Sequence, residues 1–249
     1  MTENIEFPAG DYVSPGFVRV RPDAFFPNMV VGNVTSCPWP YLRRTGKHNW
    51  YVDSRVPTVG FVSRDEAHIL YNCALAFAGM PALEIGCWLG WSACHLLLAG
   101  VTLDVIDPVV ENEGFRESIF SSLNPACTRE RCLRLIAGKS PERVHQLAEQ
   151  GTRWSLVYID GEHEFPGPVN DAVAVERYCA TDALVLFHDL LSPHVAEGLR
   201  YLKDRGWHTK IFHTMQIMGA AWRGNVIVPD YVPDAAADWA IPEHLKDWA

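Results

Sequence analysis

From about residue 63 to residue 222, apolar runs of strand length alternate with stretches whose apolar residues fall at helical spacing. Ser63-Arg-Asp-Glu66 is a capping box, and a helix follows over 67–78 with Ile69, Leu70, Cys73 and Phe77 on one face. Gly79 and Pro81 end it. The spacing then predicts a strand over 82–85, a helix over 92–99 and a second strand over 101–107, stopped by Pro108. The alternation continues with a helix over 111–122, a strand over 132–136 and a helix over 141–150. A strand over 154–160, a helix over 168–180, a strand over 182–189 and a helix over 195–205 come next. Two strands, 207–213 and 216–222, close the series with a very short link. Strands alternating with helices lie parallel in one sheet with helices on both faces. The expectation is therefore an α/β, Rossmann-like, doubly wound and mostly parallel seven-stranded sheet.

The flanks read differently. Residues 1–62 hold seven prolines and no sustained periodicity, yet too many aromatics (Phe17, Phe25, Phe26, Trp39 and Trp50 among them) for a disordered tail. They read as an irregular arm that packs on the α/β domain of 63–228, either as a lid or only to cover core or a neighbouring subunit. Residues 229–249, with Trp239 and Trp248, form a C-terminal extension. The two extensions point to a homo-oligomer. In a chain of 249 residues with 48% hydrophobic and 20% charged residues, a sizeable core is expected. A formal net charge of −9 argues against a nucleic-acid partner. The basic cluster Arg43, Arg44, Lys47 and His48 reads as a solvated loop. No run is long enough to cross a bilayer, so no membrane partner is expected. Seven cysteines without a C-x-x-C pair and without a signal peptide are expected to be reduced thiols in a cytoplasmic protein.

The chemistry gathers at predicted strand ends, where an open parallel sheet binds its ligands. The first strand runs into Glu84-Ile-Gly86-Cys-Trp-Leu-Gly90, a tight glycine turn before a helix start. It lacks the three glycines of a dinucleotide fingerprint, and the acid at Glu84 suits a cationic ligand better than a pyrophosphate. Asp107, at the tip of the second strand, is placed to hold ribose hydroxyls or to cap the next turn. Gly138-Lys-Ser140 lacks the earlier glycine of a phosphate loop; Ser140 reads as helix N-cap, adenine neighbour or both. Asp160 and Asp189 make a plausible divalent site, with His188 as a further ligand or in a supporting position. His163, three residues past Asp160 across a glycine, either takes a proton or ties down its own loop.

The pattern Glu84-x-Gly86-x-x-x-Gly90 resembles motif I of the class I S-adenosylmethionine (SAM) methyltransferases. With Asp107, Gly138-x-Ser140, Asp160-Gly-x-His163 and His188-Asp189 in order, the chain is similar to the metal-dependent small-molecule O-methyltransferases, including those acting on macrolide sugars. The resemblance covers about residues 82–225. It implies an antiparallel C-terminal strand pair and SAM bound by Glu84, Gly86, Gly90, Asp107 and Ser140. It further implies Mg²⁺ or another divalent ion at Asp160, His188 and Asp189, His163 as general base, and a small hydroxylated acceptor (natural product, sugar or phenol). This chain departs from the group with His188 where an acid is common, and with Cys179-Ala-Thr181 in place of a Pro-Gly-Gly turn. Two other readings stand beside it: a SAM-binding protein that does not methylate, and an NAD(P)-dependent oxidoreductase. The second would need a third motif glycine and a Tyr-x-x-x-Lys proton donor, and the chain has neither.

Overall fold

The computed structural model describes residues 12–31, 51–55, 62–127, 132–235 and 240–248. The basic cluster at 43–48 and Trp239 lie outside these residues. In the arm, β1 (Met29–Val31) and β2 (Tyr51–Asp53) pair antiparallel, a ribbon that the proline-rich sequence did not announce. The α/β domain starts with α1 (Arg64–Ala74), whose capping box is formed as predicted by Ser63 and Glu66.

The sheet is built from β3 (Pro81–Ile85), β4 (Thr102–Asp107), β5 (Leu133–Ala137), β6 (Trp154–Ile159), β7 (Cys179–Phe187), β8 (His208–Phe212) and β9 (Met218–Arg223). Their order is β5-β4-β3-β6-β7-β9-β8, with β9 antiparallel to both neighbours and the other pairings parallel. The chain winds outward from β3 through β4 to β5, then crosses back to β6, so the direction of winding reverses between β3 and β6. That switch point leaves a crevice beyond the strand ends. One face is covered by α1, α2 (Trp91–Leu98) and α3 (Glu113–Leu123). The other is covered by α4 (Glu142–Glu149), α5 (Gly167–Tyr178) and α6 (Pro193–Asp204). Because both faces are packed, the central strands read as continuous apolar runs, as in Leu184-Val-Leu-Phe187.

Three local expectations change. The 179–181 segment is not a separate turn: α5 runs directly into β7, which pairs Cys179 with Trp154 and then, after a bulge, Leu184 with Leu156. Arg223 stabilises the bulge by donating to the carbonyls of Cys179 and Ala180. The thiols are not all reduced: Cys127 and Cys132 form a disulfide where the chain turns from the end of α3 toward β5. Cys73, Cys87, Cys94 and Cys179 are free and buried. The link between the last two strands is longer than predicted, spanning 213–217, and it bears on the site.

Among the described residues no helix is long and apolar enough to cross a membrane. The arm docks through Phe26, buried edge-on against Trp91 with ring centroids 5.5 Å apart. The C-terminal segment returns to it, with Tyr231 donating to Asp65 and packing beside Phe17.

Candidate active site

The crevice opens into a cavity of about 750 Å³. Its first wall is the turn after β3. Gly86 has φ +84°, and a Cβ there would stand 2.2 Å from the carbonyl oxygen of Asp160. Glycine is thus required because the ends of β3 and β6 meet main chain to main chain, with Asp160 N–H donating to the Ile85 carbonyl at 2.8 Å. The turn continues through Cys87 and Trp88, whose N–H groups both donate to Asp107 Oδ2, at 2.8 and 2.9 Å. Asp107 Oδ1 accepts from Val109 N–H at 2.8 Å. Asp107 therefore caps the next turn and fastens the glycine loop, while still lining the cavity.

Glu84 and Gly90 do not line it. Glu84 is fully buried beneath the floor, where Ser92 Oγ donates to one of its oxygens at 2.5 Å and the other has no partner. Burial, with Asp160 and Asp107 adding to it, pushes its pKa well above the carboxylate range. It anchors the start of α2 through Ser92 and does not face the cavity. Gly90 has φ +91°, which a side chain adopts only with strain, and the Leu123 side chain stands 3.2 Å from where a Cβ would be, so the turn itself calls for glycine. Ser140 lines the cavity but is not the N-cap; Pro141 holds that position, with no side-chain cap. Lys139 sits exposed at the rim.

The second wall carries the charge. His163 Nε2 lies 2.7 Å from Asp189 Oδ2 and 3.7 Å from Asp160 Oδ1. His188 Nδ1 lies 3.3 Å from Asp160 Oδ1 and 3.2 Å from Asp189 Oδ2, while its Nε2 is 3.2 Å from Glu66 Oε2. Two imidazoles and three carboxylates thus share one cluster. Burial disfavours a charged His163, but the hydrogen bonds and charges of Asp160 and Asp189 win and raise its pKa to about 10. The same contest holds His188 well above its usual range, with Asp189, Asp160 and Glu66 outweighing burial. Asp189 is held below the carboxylate range: burial opposes, and the charges of His188 and His163 prevail. Asp189 adopts φ +57°, as Trp88 does at +46° and Ile217 at +58°. Among the described residues these are the only non-glycine positions with positive φ, and all are at or beside the cavity; strain of this kind concentrates at functional sites.

Residues 83–190, which carry both walls from Gly86 to Asp189, match the methyltransferase-domain family. Over those residues the chain resembles a methyltransferase domain. Solved structures share its fold. The O-methyltransferase TomG from Streptomyces achromogenes, involved in tomaymycin synthesis and solved with SAM, is 18% identical with a TM-score of 0.54, covering 66% of this chain and 82% of TomG. An O-methyltransferase from Bacillus cereus, solved with SAH, is 12% identical with a TM-score of 0.55, covering 66% and 84%. The calicheamicin methyltransferase CalS11 is 16% identical with a TM-score of 0.52, covering 64% and 79%. No curated protein sequence matches significantly.

In the methyltransferase domain, one side-chain atom each from Asp160, His163 and Asp189 lies within 4.8 Å of the other two. Two carboxylates this close are a donor set that fits a divalent ion, and the imidazole stands beside them. His163 stands within this group, while His188, read from the sequence as a further ligand or a supporting residue, lies between Glu66 and the two carboxylates. The cavity fits a polar cofactor too, because Trp88 Nε1 is buried in its wall without a hydrogen-bond partner.

Three residues of the site were missed by sequence reasoning. Glu66 looked like a capping-box acid and nothing more. It is also a fully buried carboxylate whose pKa falls to about 2: burial opposes, but the charge of His188 and hydrogen bonds from His188, Gln216 and Ser63 win. Gln216, read as the first residue of a strand, donates from Nε2 to Asp189 Oδ1 at 2.8 Å. Asp171 of α5 lines the cavity, and burial lifts its pKa to about 6. The hint for Asp171 was a charge at a core-facing position between Pro168 and Ala172, both buried.

Proposed function

We propose that this methyltransferase moves a methyl group from SAM to a hydroxyl oxygen of a small molecule, with a divalent ion held by Asp160 and Asp189 and His163 as the proton acceptor. One observation carries the reading: Asp160, His163 and Asp189 converge on the cavity that the Gly86–Trp88 turn and Asp107 also line. The walls have separate tasks. Main-chain groups of the glycine turn, with Asp107 behind them, would hold the nucleoside end, and the charged wall would receive the acceptor hydroxyl. SAM supplies an electrophilic methyl on a sulfonium, so displacement by oxygen needs alignment and a place for the hydroxyl proton.

A divalent ion at the two carboxylates would lower the proton affinity of both the acceptor oxygen and the neighbouring imidazole. His163 Nε2, facing both carboxylates, is the atom placed to take the proton and later give it to water. TomG and CalS11 belong to tomaymycin and calicheamicin chemistry, which supports a natural-product acceptor here.

The test is calorimetry with SAM and with NAD, each with and without Mg²⁺, followed by transfer of labelled methyl from SAM to a panel of hydroxylated small molecules. SAM binding without NAD binding, and transfer that EDTA abolishes and His163→Ala depresses, are expected. NAD binding in preference to SAM, or transfer indifferent to both EDTA and His163→Ala, would overturn the reading.

A further inference from the structure

The family match ends at residue 190, yet the back of the charged wall is built from two segments outside it, 63–66 and 214–217. Glu66 has no exposed surface and both of its oxygens are engaged. Oε1 accepts from Thr214 Oγ1 at 3.0 Å and from Gln216 N–H at 2.8 Å; Oε2 accepts from Ser63 N–H at 2.9 Å and faces His188 Nε2 at 3.2 Å. A buried carboxylate with this many donors is a fixed point, since any donor that left would forfeit a charge-assisted hydrogen bond with no water to replace it.

Gln216 stands on that point. Its main-chain N–H is held by Glu66, its carbonyl accepts from Leu191 N–H at 3.2 Å, and its Nε2 donates to Asp189 Oδ1 at 2.8 Å. The residue is only 3% exposed. Its amide orientation follows from chemistry, because an ionised Asp189 only accepts and so must face the NH₂. Asp189 is tethered on its main chain as well: Leu190 N–H donates to the carbonyl of Ile217 at 3.0 Å, and both Asp189 and Ile217 have positive φ. With Oδ1 taken by Gln216, Asp189 is left with Oδ2 for the cluster, where His163 and His188 meet it.

We infer that Gln216, fixed in place by Glu66, is a positioning residue that holds Asp189 so that one chosen oxygen is offered to a divalent cation. The inference rests on the metal reading above and adds to it which residues outside the methyltransferase match tune that site. Removing an outer partner of a metal-binding carboxylate costs about 10–100-fold in affinity. Gln216→Leu fills the same space without the donor, so it separates the hydrogen bond from the packing.

The experiment titrates Mn²⁺ into the full chain, following free and bound Mn²⁺ by electron paramagnetic resonance, and measures SAH binding by calorimetry on the same samples. In Gln216→Leu, Mn²⁺ binding is expected to weaken by about 10-fold or more, with an altered bound-Mn²⁺ spectrum and an SAH affinity within about two-fold of wild type. Thr214→Val, which removes one of the four donors to Glu66, is expected to give a smaller loss in the same direction, and it keeps the inference testable if Gln216→Leu does not fold. Unchanged Mn²⁺ affinity in both variants, or equal losses of Mn²⁺ and SAH, would overturn the assignment while leaving the metal reading intact. A wild-type chain that takes up no Mn²⁺ would overturn the metal reading and this assignment together.

Discussion

The two walls of the cavity hold their groups by different means. The wall at β3 and β4 is set by main chain gathered on one carboxylate: the Gly86 turn meets the main chain of Asp160, and Asp107 accepts from the N–H groups of Cys87, Trp88 and Val109. The wall at β6 and β7 is set by side chains, with Asp160, His163, His188, Asp189 and Glu66 balancing each other's charge. A wall of main-chain N–H groups converging on one carboxylate depends on geometry. A wall of ion pairs depends on every member being present, since losing one leaves a buried charge uncompensated. The lesson is that binding and reactivity in this domain should separate cleanly under mutation.

The largest expected effect is on the charged wall. His163→Ala should lower methyl transfer by about 10²–10⁴-fold while SAH affinity, read by calorimetry, stays near wild type. Loss of SAH binding in that variant would erase the distinction between the walls. Next, Gly86→Ala should cost about 3 kcal/mol or more in urea denaturation, because main chain on both sides of the 2.2 Å overlap has to move. Gly90→Ala, whose neighbour is the flexible Leu123 side chain, should cost about 1–2 kcal/mol, mainly for its positive φ. Asp107→Ala is the converse of the His163 variant. It should weaken SAH binding by about 10-fold or more, as the Cys87 and Trp88 N–H groups lose their acceptor, and leave Mn²⁺ uptake unchanged.

The most discriminating effect concerns two adjacent acids on the first turn of α1. Burial raises Asp65 to about 7, so in the folded state it keeps a proton that the unfolded chain releases near pH 4; its contribution to stability falls as pH rises from about 4 to about 7. Glu66 shifts down to about 2 and contributes stability that is complete above about pH 4.5 and lost as pH falls through 2. Asp65→Asn should therefore gain stability relative to wild type at pH 8 and little at pH 4, by about 1–2 kcal/mol at most. Glu66→Gln should lose about 3 kcal/mol at pH 8 and less toward pH 2. Denaturation curves at three pH values would show the opposite slopes, and parallel slopes would refute the assigned environments.

Much of this was legible in the pattern of the chain. The strand and helix order, the strand-tip acids and the Gly86 turn are local signals, because period, glycine and a terminal charge each act within a few residues. The β7 boundary was missed because a bulge held by Arg223 is a contact between remote segments. Glu66 and Gln216 were missed for the same reason on a larger scale: 150 residues separate them, and only the closed fold joins them. Glu84 misled in the other direction. A charge at a strand end looks like a ligand, and nothing nearby in sequence says that the fold will bury it beneath the cavity with Ser92 as its donor.

The Gly86–Asp160 contact has one further outcome for anyone recombining such domains. The main chain of the later turn fills the place where a side chain of the earlier one would sit, so the two turns are a matched pair inherited as one part. A chimera that imports a foreign residue 160 turn beneath the native residue 86 turn, or the reverse, would break the joint even if every catalytic side chain were retained. Crossovers outside 86–161 keep the pair intact.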